Sequence, residues 1–207
     1  MDPRTLALWK KQDTHEGDRK RLFTAVRDAV AGSTVLYPGS YVDIAASMAF
    51  PSVTYVDVDR RAAGFFADTA GVQDIIRSEG GSPSAEVEFI HGDYSKDLGL
   101  ESDAFDVLVS LYAGFVSEAC TDYLRVGGVL LVAPSHGDAA LASIDPRYEL
   151  SGVVTSRSGN YRVRTDALDT YLISKAETTI TREYLHERGR GIAYTKSPFA
   201  YLFTRIS

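Results

Sequence analysis

The stretch TVLYPGSYVD at residues 34–43 decides the fold. Its apolar run stops at a Pro-Gly pair, so residues 34–37 are predicted to form a buried strand that ends in a turn. After a short helix candidate at residues 41–50, the pattern returns as VTYVDVD at residues 53–59, with carboxylates at its end. Strands that are apolar along their whole length and alternate with helices are typical of a parallel sheet covered on both faces.

The same alternation continues to about residue 135. Further strands are predicted at residues 87–91, 105–110 and 127–133, and helices at residues 18–30, 60–69, 72–79 and 115–124. Beyond residue 146 strands dominate: a hairpin at 150–155 and 161–165, and single strands at 168–174 and 199–206, with a helical segment at 176–190. We expect a three-layer α/β sandwich in one domain, residues 1–207, with an antiparallel, β-rich extension at residues 146–207.

The composition is that of a globular protein and argues against several kinds of site. The 207 residues are 44% hydrophobic and 24% charged, which is ordinary. A single cysteine, Cys120, allows no internal disulfide, and the four histidines are scattered, so no metal site is expected. No apolar run could span a membrane, and residues 1–20 lack the apolar segment of a signal peptide. We expect a cytoplasmic protein with no membrane partner.

Charge is distributed unevenly along the chain. Residues 32–150 hold 6 Lys and Arg against 18 Asp and Glu, whereas both flanking segments are mildly basic. An acidic region repels phosphate backbones, which argues against nucleic acid as a partner. Three arginines, Arg157, Arg162 and Arg164, flank the predicted hairpin. They could bind an anionic molecule or form a solvated strand face.

Glycines and polar residues follow four of the predicted strands. Gly39 follows the first strand, Asp57 ends the second, HGDY at residues 91–94 ends the third and SLYAG at residues 110–114 ends the fourth. Because parallel strands end at one edge of a sheet, these residues are expected to share a rim where ligands bind. Gly39 would let a ligand approach the backbone closely, and Asp57 could accept both hydroxyls of a ribose.

Five segments in order resemble the successive motifs of the class I S-adenosylmethionine-dependent methyltransferases. They are VLYPGS at 35–40, VTYVDVD at 53–59, VEFIHGD at 87–93, FDVLVS at 105–110 and LRVGGVLLV at 124–132. The match covers about residues 33–135, and the glycine pair that opens the last segment is its most telling part. The resemblance implies a Rossmann-like fold with S-adenosylmethionine as the cofactor.

The resemblance also assigns residues to the parts of the cofactor. They are Gly39 and Ser40 in the first loop, Asp57 for the ribose hydroxyls, Asp93 and Tyr94 for the adenine, and Ser110 and Leu111 for the methionine part, through their backbone groups.

The first loop departs from the family pattern. An acidic residue and three alternating glycines are usual there, but Tyr37 replaces the acid, and Tyr41 and Asp43 replace the second and third glycines. The bulk of Tyr41 could close the site. Alternatively, Asp43 could supply the displaced carboxylate for the ammonium group of the cofactor, or it could simply favour a helix N-terminus.

Other cofactor classes fit less well. After Gly39 the chain reads GSYVDI, which lacks the later glycines of a dinucleotide-binding loop, and no Walker-type Gly-Lys-Ser/Thr is present. No Asn/Asp-Pro-Pro-Tyr/Phe motif, found in enzymes that methylate amino groups of DNA or protein, occurs either. This absence favours a small-molecule methyl acceptor. The sequence carries no signal for the identity of that acceptor or for an oligomeric state.

Catalytic residues are only weakly indicated, because methyl transfer from a sulfonium is largely a matter of positioning. A general base could come from Tyr112, His136 or Asp138, which follow the fourth and fifth strands. Each has a structural alternative: a cleft wall for Tyr112, a polar turn for His136 and a helix cap for Asp138. The predicted function is methyl transfer to a small molecule. The alternative, prompted by the altered glycine loop, is an inactive methyltransferase-fold protein that acts as a binding or regulatory module.

Overall fold

The computed structural model describes residues 2–177 and 179–207 and contains one eight-stranded sheet. Its strands are β1 (Thr34–Pro38), β2 (Ser52–Asp57), β3 (Glu86–His91), β4 (Phe105–Ser110), β5 (Leu124–Val132), β6 (Tyr148–Arg157), β7 (Asn160–Arg164) and β8 (Ala200–Arg205). They lie in the order β3-β2-β1-β4-β5-β8-β6-β7. The first five strands are parallel, whereas β8, β6 and β7 join by antiparallel pairing. The predicted α/β architecture with an antiparallel C-terminal region is confirmed.

Helices cover both faces of the sheet. They are α1 (Pro3–Gln12), α2 (Asp18–Arg27), α3 (Arg60–Ala67), α4 (Thr69–Ser78), α5 (Val116–Cys120), α6 (Asp138–Ile144) and α7 (Arg182–Arg188), with short 3₁₀ helices at Ala45–Met48, Thr121–Tyr123, Ser135–Gly137 and Leu168–Tyr171. The predicted helix at residues 115–124 is therefore α5 followed by a 3₁₀ turn. Within the part of the chain that the structure describes, no helix is both long enough and apolar enough to cross a bilayer.

The apolar strands are explained by a core on each side of the sheet. Successive side chains of a strand point to opposite faces, so Val35 packs with α1–α4 while Leu36 packs with α5–α7. Both side chains are fully buried. Trp9 of α1 is also buried in the first core. Trp9 therefore anchors the N-terminal helix to the sheet.

The segment after β1 differs from its prediction. Residues 41–50 form a single 3₁₀ turn rather than a longer helix. Side chains take up the amides that a longer helix would use: Asp43 accepts from the Ala45 N–H (3.2 Å), and the Tyr55 hydroxyl accepts from the Ser47 N–H (3.1 Å). Such local bonds compete with helix formation.

Two predictions in the C-terminal region also need correction. Residues 168–174 are not a strand, because the Thr170 hydroxyl donates to the Ala167 carbonyl (2.6 Å) and closes a 3₁₀ turn. The helix predicted at residues 176–190 is limited to α7. It begins where the Thr181 hydroxyl caps the Tyr184 N–H (3.2 Å) and ends at Gly189, whose φ is 60°. Thr178 lies outside the described residues.

Candidate functional site

The strand order places the candidate site at a topological switch point. The chain moves outward from β1 to β2 and β3, then returns to place β4 on the other side of β1. In open α/β sheets the crevice outside the carboxyl ends of such strands is where ligands bind. The loops after β1, β2, β3, β4 and β5 lie along this edge, which we call the rim.

At the start of the rim, Gly39 adopts a left-handed conformation with φ of 65°. Its N–H donates to the Val56 carbonyl (2.7 Å), so the loop turns across the end of β2. A Cβ built on Gly39 would overlap the Cβ of Ala113 in the loop after β4. The neighbouring Ser40 is buried. The space over Gly39 is therefore filled by the chain itself.

Asp57 links the first two loops of the rim. Its Oδ2 accepts from the Tyr41 N–H (2.7 Å), and its Oδ1 accepts from the Asp59 N–H (2.8 Å). Tyr41 has φ of 51°, so the backbone at this position is left-handed although its residue is a tyrosine. Asp57 is half-buried, and a carboxylate has about four lone-pair sites. It can therefore accept further hydrogen bonds from a ligand.

Asp43 lies beneath the loop rather than on the rim. It is 1% exposed, accepts from the Tyr37 hydroxyl (3.1 Å) and lies 3.7 Å from Arg19 Nε of α2. Burial raises the pKa of Asp43, while Arg19 and the hydrogen bonds oppose that rise. Burial and the neighbouring Asp43 raise the pKa of Tyr37 well above its ordinary value. The altered residues of the first loop thus form a buried cluster with Arg19.

The loop after β3 begins with an accessible carboxylate next to the strand end. Asp93 is exposed, and its Oδ1 accepts from the Ser95 N–H (2.9 Å) and hydroxyl (2.7 Å), which lowers the pKa of Asp93. Tyr94 is half-buried, and its hydroxyl donates to the Ala113 carbonyl. Burial raises the pKa of Tyr94 to about 12. Tyr94 therefore holds the loop after β4 in place.

The residues at the end of β4 divide into buried and exposed positions. The Ser110 hydroxyl donates to Asp138 Oδ2, and Leu111 is 3% exposed. Tyr112 is 51% exposed, has φ of 65°, and lies beneath the Arg19 guanidinium at 5.2 Å. The segment 111–114 is thus held from two sides, by Arg19 and by Tyr94.

The three candidate bases do not lie together. The Tyr112 and His136 rings meet edge to face, with centroids 6.4 Å apart, and both are exposed on the rim. Asp138 is buried at the start of α6, where it accepts from the Ser117 hydroxyl (2.5 Å) and N–H (3.1 Å). Burial raises the pKa of Asp138 to about 6. This carboxylate joins β4, α5 and α6.

Two residues at the rim, Val58 and Arg19, were not identified from the sequence. Val58, between Asp57 and Asp59, is 63% exposed because β2 ends at Asp57, so it offers an apolar surface beside the carboxylate. Arg19 is far from the motifs in sequence, and its Nη1 is buried without a hydrogen-bond partner among the described residues. A buried guanidinium nitrogen without a hydrogen-bond partner beside a rim is a signal that only a three-dimensional structure reveals.

No cluster of potential metal ligands occurs within residues 2–177 and 179–207. Cys120 is buried in α5, and its thiol lies 3.7 Å from the Tyr94 carbonyl. Burial raises the pKa of Cys120 to about 12, so the neutral thiol dominates.

No protein-family model matches the sequence, and no curated protein matches it. Solved structures do. A Klebsiella pneumoniae protein provisionally assigned as an O-methyltransferase aligns over 100% of this chain and 91% of its own, with a TM-score of 0.55 and 10% identity. A Methanococcus maripaludis protein provisionally assigned as an S-adenosylmethionine-dependent methyltransferase aligns over 60% of this chain and 58% of its own (TM-score 0.46, 13% identity). The chain therefore spans less than two thirds of that protein.

A third similar structure is the N-methyltransferase NodS from Bradyrhizobium japonicum, in complex with S-adenosylhomocysteine. It aligns over 73% of this chain and 87% of its own, with a TM-score of 0.47 and 15% identity. The full-length alignment with the Klebsiella protein shows that this chain has the class I methyltransferase fold, as the ordered sequence motifs predicted.

Proposed function

We propose that the chain binds S-adenosylmethionine at the rim and transfers its methyl group to a small-molecule acceptor. The observation that carries this proposal is the half-buried carboxylate of Asp57, which is tied to the first loop through the Tyr41 N–H yet keeps lone pairs for a ligand. Two ribose hydroxyls could donate to it. Val58 beside it would contact the adenine, and Asp93 would accept from the adenine amino group.

The methionine part would lie between Gly39 and the backbone of Ser110 and Leu111. In that position it needs the space that Ala113 fills. The segment 111–114 must therefore move outward on binding, with Tyr112 and Gly114, both at positive φ, as the points where the backbone turns. Asp43 could hold the ammonium group only by giving up its contact with Tyr37 or Arg19.

Bound S-adenosylmethionine supplies a methyl group already activated on a sulfonium, so the protein contributes mainly orientation. Tyr112 and His136 flank the opening and are the groups most able to contact an acceptor. The imidazole of His136 could accept a proton from an acceptor oxygen or nitrogen. The acidic character of residues 32–150 favours a small acceptor over nucleic acid, and we propose a cytoplasmic location for the protein.

A second candidate function is favoured by one observation. Because Ala113 closes over Gly39 and Tyr41 replaces a glycine, the site could be permanently filled, and the chain would then be an inactive binding or regulatory module. This candidate predicts that the protein binds neither S-adenosylmethionine nor S-adenosylhomocysteine.

Calorimetric titration of the purified protein with both ligands separates the two candidates. We expect saturable binding, and we expect Ala113→Gly to bind more tightly because it removes the methyl group over Gly39. Ala167→Gly, in an exposed turn, controls for the general effect of adding a glycine. If neither the wild type nor Ala113→Gly binds at millimolar ligand, the methyltransferase proposal fails.

A further inference from the structure

The sheet has two open edges with opposite charge. The outermost strands are β3 at one end and β7 at the other. β3 reads EVEFIH and β7 reads NYRVR, so acidic residues alternate with apolar ones on the first edge and basic residues do so on the second. Exposed edge strands are templates for pairing with another chain.

The free backbone groups of β3 belong to Val87 and Phe89. The Glu86 N–H donates to the Pro51 carbonyl (2.8 Å) and the Gly92 N–H donates to the Asp57 carbonyl (3.1 Å), so the even-numbered residues bond to β2. The odd-numbered residues therefore direct their N–H and C=O groups outward. An apolar groove lined by Phe66, Val87 and Phe89 runs beside this edge.

The free backbone groups of β7 belong to Tyr161 and Val163. β6 and β7 are joined by a two-residue turn, Ser158-Gly159, with φ of 52° and 73°, the geometry of a type I′ hairpin. Its closing pair is Arg157 and Asn160. Because hydrogen-bonded and non-hydrogen-bonded pairs alternate, the even-numbered residues of β7 bond to β6 and the odd-numbered ones point outward.

The side chains of the two edges are also arranged on matching faces. Val87, Phe89, Tyr161 and Val163 all pack against the same apolar core, on the face that carries α1–α4. The charged residues, which are Glu86 and Glu88 on β3 and Arg162 and Arg164 on β7, are exposed and lie on the opposite face. Arg164 pairs with Asp166 at 2.7 Å. Arg162 forms no ion pair with any residue that the structure describes.

We propose that β3 of one copy of this chain pairs antiparallel with β7 of a second copy. One register aligns the free backbone groups, the apolar faces and the opposite charges of the two strands. In this register Val87 lies opposite Val163 and Phe89 lies opposite Tyr161, which are hydrogen-bonding positions on both strands. Glu88 then lies opposite Arg162, in a non-hydrogen-bonded pair whose side chains come closest. Glu86 lies opposite Arg164.

Within one copy, β7 runs antiparallel to β3. Two copies in the same orientation can therefore place β7 of one beside β3 of the other and form one continuous sheet. The contact joins two different surfaces, so each copy keeps one free edge. Such heterologous contacts form rings or open chains. Association therefore rises in steps with protein concentration and weakens with salt, which screens the exposed ion pairs.

Sedimentation velocity from micromolar to millimolar concentration tests the proposal through a charge swap. Glu88→Arg and Arg162→Glu each place like charges opposite one another, and each is expected to weaken association about tenfold. The double variant Glu88→Arg/Arg162→Glu restores opposite charges and should associate as the wild type does. Arg157→Glu, on β6 and therefore not on an edge, is the matched control and should change nothing. Melting curves establish that each variant is folded.

Three outcomes overturn the proposal. The wild type could stay monomeric throughout, or a folded double variant could fail to recover. Alternatively, Glu88→Arg could alter association while Arg162→Glu does not, which would assign the contact to two β3 edges instead.

Discussion

The two halves of the rim use the same residue type in opposite ways. At the ends of β2 and β3, Asp57 and Asp93 are held by neighbouring residues and remain accessible to solvent. At the far side, Asp138 is buried and enclosed by the hydroxyls of Ser110 and Ser117. The first two carboxylates keep lone pairs for a ligand, whereas the third is fully used in joining β4, α5 and α6. The number of hydrogen bonds that an aspartate already makes within the protein is therefore a better guide to ligand binding than its position on the rim.

The largest effect is expected where the carboxylate is enclosed. Asp138→Ala leaves the buried Ser117 hydroxyl and N–H, and the Ser110 hydroxyl, without their acceptor. We expect the free energy of unfolding to fall by about 3–5 kcal/mol, measured by urea denaturation. Asp138→Asn keeps one acceptor oxygen and should lose less. Equal stability of Asp138→Ala and the wild type would show that this cluster contributes nothing.

The same carboxylate should give a pH signature. Burial raises the pKa of Asp138 to about 6, above the value of about 3.9 for an unfolded chain. Between these values the folded state binds more protons, so the free energy of unfolding falls as the pH rises from about 4 to about 6. The total fall is at most about 3 kcal/mol. Urea denaturation at several pH values should show that the free energy of unfolding depends less on pH in Asp138→Asn than in the wild type. An identical pH dependence in the two proteins would contradict the assignment.

At the centre of the rim, Gly39→Val tests the close packing of two loops. A Cβ there overlaps Ala113, and φ of 65° disfavours a β-branched residue. We expect a loss of about 2–3 kcal/mol of stability and no detectable binding of S-adenosylhomocysteine. Gly99→Val is the control, because Gly99 has φ of 68° with nothing within 4 Å of an added Cβ. A Gly39→Val variant that binds as the wild type does would refute the proposed site.

On the accessible side, Asp57→Ala should weaken ligand binding while the fold is kept. Loss of charge-assisted hydrogen bonds to two ribose hydroxyls is expected to cost about 1.5–3 kcal/mol of binding free energy, measured by calorimetry. Asp59→Ala removes the cap that accepts from the Arg61 N–H (2.6 Å), so it should lower stability slightly and leave affinity alone. If Asp59→Ala weakens binding and Asp57→Ala does not, the two carboxylates have been assigned in the wrong order.

The smallest effect is expected at Tyr41. Tyr41→Gly relieves a left-handed tyrosine with φ of 51° but removes a half-buried ring, so the two contributions to stability oppose each other within about 1 kcal/mol. Binding of S-adenosylmethionine should be kept or improved. A loss of several kcal/mol in the melting analysis, together with a wild type that binds no cofactor, would instead identify Tyr41 as the filling of a closed site.

The strands of this fold are predictable from sequence because burial on both faces leaves an apolar run, as in residues 107–109 and 129–133. The hairpin at β6 and β7 is predictable from its turn residues. The error at residues 168–174 arose because the Thr170 hydroxyl donates to the backbone carbonyl of Ala167, which local composition does not reveal.

The candidate site is less predictable for a different reason. Its motifs give the strand ends in order, but the contacts that close the rim join distant parts of the chain: Gly39 with Ala113, and Arg19 with Tyr112. No short-range pattern encodes such pairs. The buried position of Asp138 depends likewise on hydroxyls 21 and 28 residues away.

The single thiol of the chain can serve as a probe of opening motions near the rim. Cys120 is the only cysteine of the chain, and its thiol contacts the backbone carbonyl of Tyr94. The hydroxyl of the same tyrosine holds Ala113 over Gly39. Cys120 is fully buried, so a thiol reagent can reach the sulfur only when the surrounding core opens, and the labelling rate of the unmodified protein reports how often it does. A ligand that pulls the segment outward should speed this reaction, and one that locks it shut should slow it.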